Sequence, residues 1–211
     1  MTASNLRDLS LTEFARRLSE KTPTPGGGSV AAHLASLGAA LGCMAFRFTS
    51  GPKYAAVEAA LAARAESLES IRTRAAELID ADASSYEQVM AGYRLPKSTD
   101  GEKAVRSAAI QAGLGAAIEV PAETLGLAGR ALELLAAGAS DLNPNVVSDC
   151  ASGGWCLRGA AEAAFLNVQI NAASLADKVA AAKWLADCES RLRKARAAAD
   201  TLNDTIARNL G

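Results

Sequence analysis

Aromatic side chains are scarce in this sequence: four Phe, three Tyr and two Trp make up 4% of 211 residues. Proline is also scarce, at six, and a single histidine stands at position 33. Strands draw on aromatic and β-branched residues, and no alternation of apolar and polar residues stands out, so an all-β fold is excluded. Four cysteines form no CxxC pair, and one histidine cannot complete a familiar zinc set, so no metal is expected. Basic excess is missing as well: 22 Lys+Arg face 23 Asp+Glu, a net charge of −1. That balance argues against a nucleic-acid partner, since the local cluster Arg191, Arg193, Lys194 and Arg196 is diluted by Asp187, Glu189, Asp200 and Asp204. The N-terminus lacks the basic start and apolar run of a signal peptide. Residues 30–48 come nearest to a membrane span, but they are mostly small and include His33 and Arg47, which reads as a buried helix. A cytoplasmic protein with reduced thiols and no membrane partner is expected.

What the chain has in quantity is alanine, 49 residues by count. Alanine has the best helix propensity and lets helix backbones approach closely. The expected fold is therefore all-α: an up-and-down bundle of long helices forming one domain over residues 1–211. Ser10-Leu11-Thr12-Glu13 is a capping box opening a first helix, which ends before the Pro23–Gly28 turn. A second helix is expected over 29–49, with Gly38 and Gly42 on one face allowing a close crossing. The third, over 53–93, shows a seam at Leu61, Arg64, Leu68, Ile71, Ala75, Leu78, Asp82, Ser85 and Val89, alternating steps of three and four. At about 60 Å it is long for a compact monomer, which predicts a homodimer formed through the long helices. Thr99-Asp100-Gly101-Glu102 starts a fourth helix reaching 137, with Pro121 expected to kink or break it. Residues 140–145 read as a loop, and a last helical region runs from 148 to 209 with breaks that the pattern does not place.

Three polar features stand against this apolar background. Asp82 lies within the seam, next to Asp80 and one turn before Tyr86. It is either a solvent-facing or paired carboxylate, or a cleft carboxylate whose pKa burial raises for proton transfer. Asn167, Asn171 and Ser174 share one helix face, with Asp177 and Lys178 a turn beyond. Their amides can read a heterocycle or glue two helices across a symmetric interface. Gly26-Gly27-Gly28-Ser29, at a helix start, offers free N–H groups to an anion, yet matches neither a Walker loop nor a dinucleotide fingerprint. Lys53, Arg94 and Lys97 at element ends are either solvated cations or a grip for an anionic tail. His33, Cys43, Cys156, Trp155 and Trp184 read as packing residues.

In order along the chain, several of these words resemble one family. They are Pro23-Thr24-Pro25-Gly26-Gly27-Gly28-Ser29-Val30-Ala31-Ala32, Gly51-Pro52-Lys53-Tyr54, Asp80-Ala81-Asp82 with Tyr86, Tyr93-Arg94-Leu95-Pro96-Lys97, Asn143-Pro144-Asn145-Val146-Val147-Ser148-Asp149, and Asn167-Val168-Gln169-Ile170-Asn171 followed by Asp177. Together they resemble the formiminotransferase-cyclodeaminase C-terminal family, which holds formimidoyltetrahydrofolate cyclodeaminases and stand-alone methenyltetrahydrofolate cyclohydrolases. Pro52 departs from a basic residue expected there, and the Gly153-Gly154-Trp155-Cys156 run from a smoother alanine-valine helix. The resemblance implies an all-helical homodimer that needs no cofactor and takes a tetrahydrofolate one-carbon adduct as substrate. It implies hydrolysis of 5,10-methenyltetrahydrofolate to 10-formyltetrahydrofolate, with Asp82, then Asp149, as the acid/base candidates. Gly26, Gly27, Gly28, Ser29, Lys53, Tyr86, Arg94, Lys97, Ser148, Asn167 and Asn171 are the implied substrate-binding positions. The alternatives are the ammonia-releasing cyclodeaminase reaction and a non-catalytic helical dimer that binds folate or scaffolds a partner.

Overall fold

The computed structural model describes residues 5–210, and every regular element among them is helical. After a short 3-10 turn at Leu6–Asp8 come six α-helices: α1 Leu11–Leu18, α2 Gly27–Arg47, α3 Glu58–Arg94, α4 Asp100–Gly138, α5 Val147–Ala173 and α6 Lys178–Leu210. From α2 onward successive helices run antiparallel. Helices α2 to α5 form a four-helix bundle, and α6 lies against α4 and α5. The all-α bundle of long helices is as expected.

Local signals account for most of the boundaries. Ser10 Oγ accepts from the Glu13 amide at the start of α1. The reciprocal half of the expected capping box does not form, because the Glu13 carboxylate is taken by Arg16 and Arg17. At α4 the box is complete: Thr99 Oγ1 accepts from the Glu102 amide, and Glu102 accepts from the Thr99 amide. The second helix begins two residues before the expected Ser29, so Gly27 and Gly28 are helical. Glycine costs little in a first turn, whose N–H groups have no intrahelical partner in any case. The third starts at Glu58, later than expected, because Pro52–Tyr54 form a 3-10 turn. Pro121 does not break α4, which continues unbroken around it with the ring buried. The last helical region breaks once, at residues 174–177, where Asp177 Oδ1 accepts from the Val179 and Ala180 amides and caps α6.

Most of the α3 seam is buried as its period requires, Arg64, Asp82 and Val89 being half-buried. Leu61, Leu68, Ile71, Ala75 and Leu78 face α2 and α4 and are at most 4% exposed. Close approach between helices comes from glycine. A methyl group on Gly38 would stand 2.7 Å from the Gly153 carbonyl, and one on Gly42 would stand 2.5 Å from Leu135. The Gly153-Gly154 run thus admits α2 on one side and Leu202 of α6 on the other. Among the described residues α2 alone is long and apolar enough to cross a membrane, and more than half of its most apolar stretch is buried in the bundle.

Glycines at these crossings and elsewhere should respond oppositely to the same change. Gly38→Ala is expected to destabilise the fold by about 1–2 kcal/mol in urea unfolding, the overlap outweighing the helix-propensity gain. Gly115→Ala, at a mid-helix position with nothing within 4 Å of the added methyl, should stabilise it by about 0.5–1 kcal/mol.

Candidate active site

Antiparallel packing brings the start of α2, the second half of α3, the middle of α4 and the end of α5 to one end of the bundle. Between them is a cavity of about 380 Å³, within the range of small-molecule sites. Its walls include Gly26, Gly27 and Gly28 from the head of α2, and Asp82, Tyr86, Met90 and Tyr93 from α3. Leu114 and Ala117 come from α4, and Asn167, Ile170 and Asn171 from α5. Asp82 is the only charged residue among those lining it.

The seam position of Asp82 sets its environment. Its neighbours one turn before are the buried Leu78 and Ile79, so the carboxylate is held against the head of α2 instead of water. A methyl on Gly28 would fall 2.0 Å from Asp82 Oδ1; only glycine lets the carboxylate reach the helix N-terminus. The anion at this glycine turn is thus the chain's own side chain. Burial raises the pKa of Asp82, opposed by the hydroxyl and amide of Ser29, which favour the ionised form.

Ser29 is fully buried behind Asp82 and does not form part of the cavity wall. Its Oγ lies 2.9 Å from Asp82 Oδ2 and 3.0 Å from the Ile79 carbonyl oxygen. One hydroxyl hydrogen cannot serve both acceptors. When Asp82 is ionised, Ser29 donates to it. When Asp82 is protonated, the carboxyl donates to Ser29, whose own hydrogen turns to Ile79. Both protonation states are therefore hydrogen-bonded, which suits a group that takes up and returns a proton.

On the opposite wall Asn171 Nδ2 donates to the Ala117 carbonyl at 2.6 Å and Asn167 Nδ2 to the Ala163 carbonyl at 2.9 Å. Each amide is fixed by its nitrogen, and its oxygen is left to accept. Asp80 takes no part: its Oδ1 accepts from the Leu6 amide. Arg7 Nε lies 3.5 Å from the buried Oδ2, which is close enough for charge attraction but makes no hydrogen bond. Asp80 therefore ties down the N-terminal turn.

The residues singled out in the sequence divide between two ends of the bundle. Gly26, Gly27, Gly28, Ser29, Asp82, Tyr86, Asn167 and Asn171 come together. Lys53, Ser148 and Asp149 stand at the other end; Asp149 precedes Asn167 by 18 residues of α5, about 27 Å along the axis. Lys53 lies over the Tyr54 ring. Arg94, exposed, pairs with Glu87 at 3.2 Å, and Lys97 is exposed on the α3–α4 connection. Ser174 lines the cavity, whereas Asp177 serves as a cap. Among the described residues no three His, Cys, Asp or Glu side chains cluster as a metal set.

Comparison with known proteins shows the family. The model of the formiminotransferase-cyclodeaminase family matches residues 10–190. The chain belongs to that family. It is 35% identical to the methenyltetrahydrofolate cyclohydrolase of Methylorubrum extorquens, over 93% of this chain and 95% of that protein. It is 32% identical to the formimidoyltransferase-cyclodeaminase of Rattus norvegicus, covering 91% of this chain but 36% of that longer protein. Formiminotetrahydrofolate cyclodeaminase from Thermotoga maritima superposes with a TM-score of 0.86 at 25% identity, over 98% of this chain and 100% of that one.

The raised pKa of Asp82 has a stability consequence with a definite sign. Because ionisation is harder in the folded state, the fold loses stability as pH climbs from the unfolded carboxyl's pKa through the folded one. Asp82→Asn removes that loss, so its melting temperature should exceed the wild-type value by more at about pH 8 than at about pH 4. A difference independent of pH would show that burial does not strain this carboxylate.

Proposed function

We propose that this protein is a methenyltetrahydrofolate cyclohydrolase, hydrolysing 5,10-methenyltetrahydrofolate to 10-formyltetrahydrofolate. The observation that carries the reading is the near end-to-end match to the Methylorubrum cyclohydrolase, and the half-buried carboxylate in a pocket large enough for a small molecule supports it. The substrate is a cation, its positive charge shared between N5 and N10 across the bridging carbon. Asp82, the single anion of the pocket, favours that charge.

In the proposed reaction a water attacks the bridging carbon as the Asp82 carboxylate takes one of its protons. A C–O bond forms and the amidinium becomes a neutral tetrahedral adduct. The carbon–N5 bond then breaks, protonated Asp82 returns its proton to N5, and the adduct's hydroxyl proton leaves to solvent as the formyl C=O forms. The balance is cation plus water to 10-formyl product plus one proton. Asn167 and Asn171 orient the pterin or the water through their free carbonyl oxygens, and the glycine turn and Tyr86 bound the pocket.

A second reading has its own support: the Thermotoga protein, of the same extent as this chain, is named a cyclodeaminase. The same carboxylate would close the formimino group and expel ammonia. Purified protein should accelerate loss of methenyltetrahydrofolate absorbance over the spontaneous rate and release no ammonia from 5-formiminotetrahydrofolate. Ammonia release with formation of the methenyl compound would transfer the assignment to cyclodeaminase. Asp82→Asn should lower kcat by about 10²–10⁴-fold and weaken binding of the cationic substrate by much less. Ser29→Ala removes a bond that favours the ionised carboxylate, so the acid limb of the pH–rate profile should move to higher pH.

We further infer a homodimer working in the cytoplasm. All four cysteines are free thiols, which supports a reducing compartment. Support for pairing comes from α2 and α5, where Val30, Leu34, Leu37, Leu41, Met44 and Phe48 line up at steps of three and four beside Trp155, Leu166 and Ile170. Phe48, Trp155, Leu166 and Ile170 are each 58–73% exposed. With Leu37 they leave on the order of 500–600 Å² of apolar surface open per copy, enough for a symmetric interface above the usual minimum. Light scattering should give twice the chain mass, and Leu37→Glu with Leu166→Glu should halve it. A wild-type monomer would remove the dimer from the reading.

A further inference from the structure

We propose that Arg106 receives the anionic tail of the substrate at the outer end of the active-site trough; this rests on the folate reading above. Along α3 the trough runs from Asp82 to Tyr93, eleven residues or about 16 Å. Its walls along that length combine the apolar Val89, Met90 and Leu114 with the uncharged polar Ser85, Tyr86 and Ser174. No lysine or arginine lines it, so nothing in the cavity itself answers a carboxylate. Arg106 stands on α4 two turns before Leu114, about 12 Å further along that helix, and its guanidinium lies over the Tyr93 ring, 5.3 Å from the centroid.

Two features make this cation available. Its Nε and Nη2 both donate to the Tyr93 carbonyl at 3.3 Å, which fixes the plane of the fork and leaves three of its five N–H groups unused. No carboxylate among the described residues pairs with it. Glu102, one turn earlier on the same helix, is committed to the Ser98 and Thr99 amides. Arg94, by contrast, is already paired with Glu87. A planar guanidinium held by a ring and a carbonyl is pre-organised for bidentate recognition of a carboxylate. With the reacting carbon beside Asp82, a benzoyl ring would lie along Val89, Met90 and Leu114 and place its amino-acid carboxylates at the Tyr93 end.

The test compares 5,10-methenyltetrahydrofolate with 5,10-methenyltetrahydropteroate, which lacks the glutamate. Arg106→Ala should raise KM for the tailed substrate by about 10–100-fold with kcat preserved, and leave KM for the tail-less one unchanged. Arg106→Lys should recover part of the loss. Equal losses on both substrates would mean that Arg106 only props Tyr93, and no loss would mean that the tail goes elsewhere; either overturns the proposal. Should wild-type protein turn over neither compound, binding decides independently of the reaction. A preference for tetrahydrofolate over tetrahydropteroate that disappears in Arg106→Ala supports the assignment. Equal binding of the two by wild type, or binding of neither, overturns it.

Discussion

Backbone-to-backbone approach around α2 is the constraint on which the rest of this structure depends. Gly38 and Gly42 let α2 sink between α3, α4 and α5, and Gly153 answers from the other side of the crossing. Alanine at the intervening positions keeps the spacing small, so a bundle with few aromatic side chains fills its interior with backbone and methyl groups. The head of α2 follows from that placement. Once the helix is drawn in, its first turn meets α3 at Asp82, and Gly28 determines how near the carboxylate can come.

Packing and chemistry are therefore joined at one helix. The seam that buries Leu68, Ile71, Ala75 and Leu78 carries Asp82 to the point where the low-dielectric strip opens into the cavity. Desolvation raises the carboxyl's pKa, Ser29 limits the rise, and the exchangeable hydrogen bond to Ile79 satisfies either state. A cation of delocalised charge is a suitable guest for such a site, since it gains from the half-buried anion without requiring a metal-like point charge.

Much of this was legible in the sequence. Ser10 and Thr99 announce their helices, the three-four alternation of α3 identifies its buried face, and Gly38 with Gly42 signals the close crossing. Asp82 is the acidic member of a largely apolar seam, and Asn167 with Asn171 forms a stripe; the structure brings both to one cavity. Other features had no local signature. Asp177 continues the stripe by spacing but acts as a cap, because the helix has already ended at Ala173. Lys53 and Asp149 share conspicuous words with the other candidates, yet the up-and-down path puts them at the far end. Arg106 stood in an unremarkable helical segment, and its relation to Tyr93 arises only when the turn after α3 folds α4 back alongside.

The apolar character of α2 has a consequence for biogenesis. Its partner α5 begins one hundred residues after α2 ends, at Val147 against Arg47. A ribosome therefore releases the most apolar helix of the chain well before the helix that covers its glycine face has been made. Until then α3 and α4 are the only cover, and the Gly38 groove stays open. The nascent chain thus spends much of its synthesis with an uncharged, small-residue surface exposed, a natural substrate for a holding chaperone.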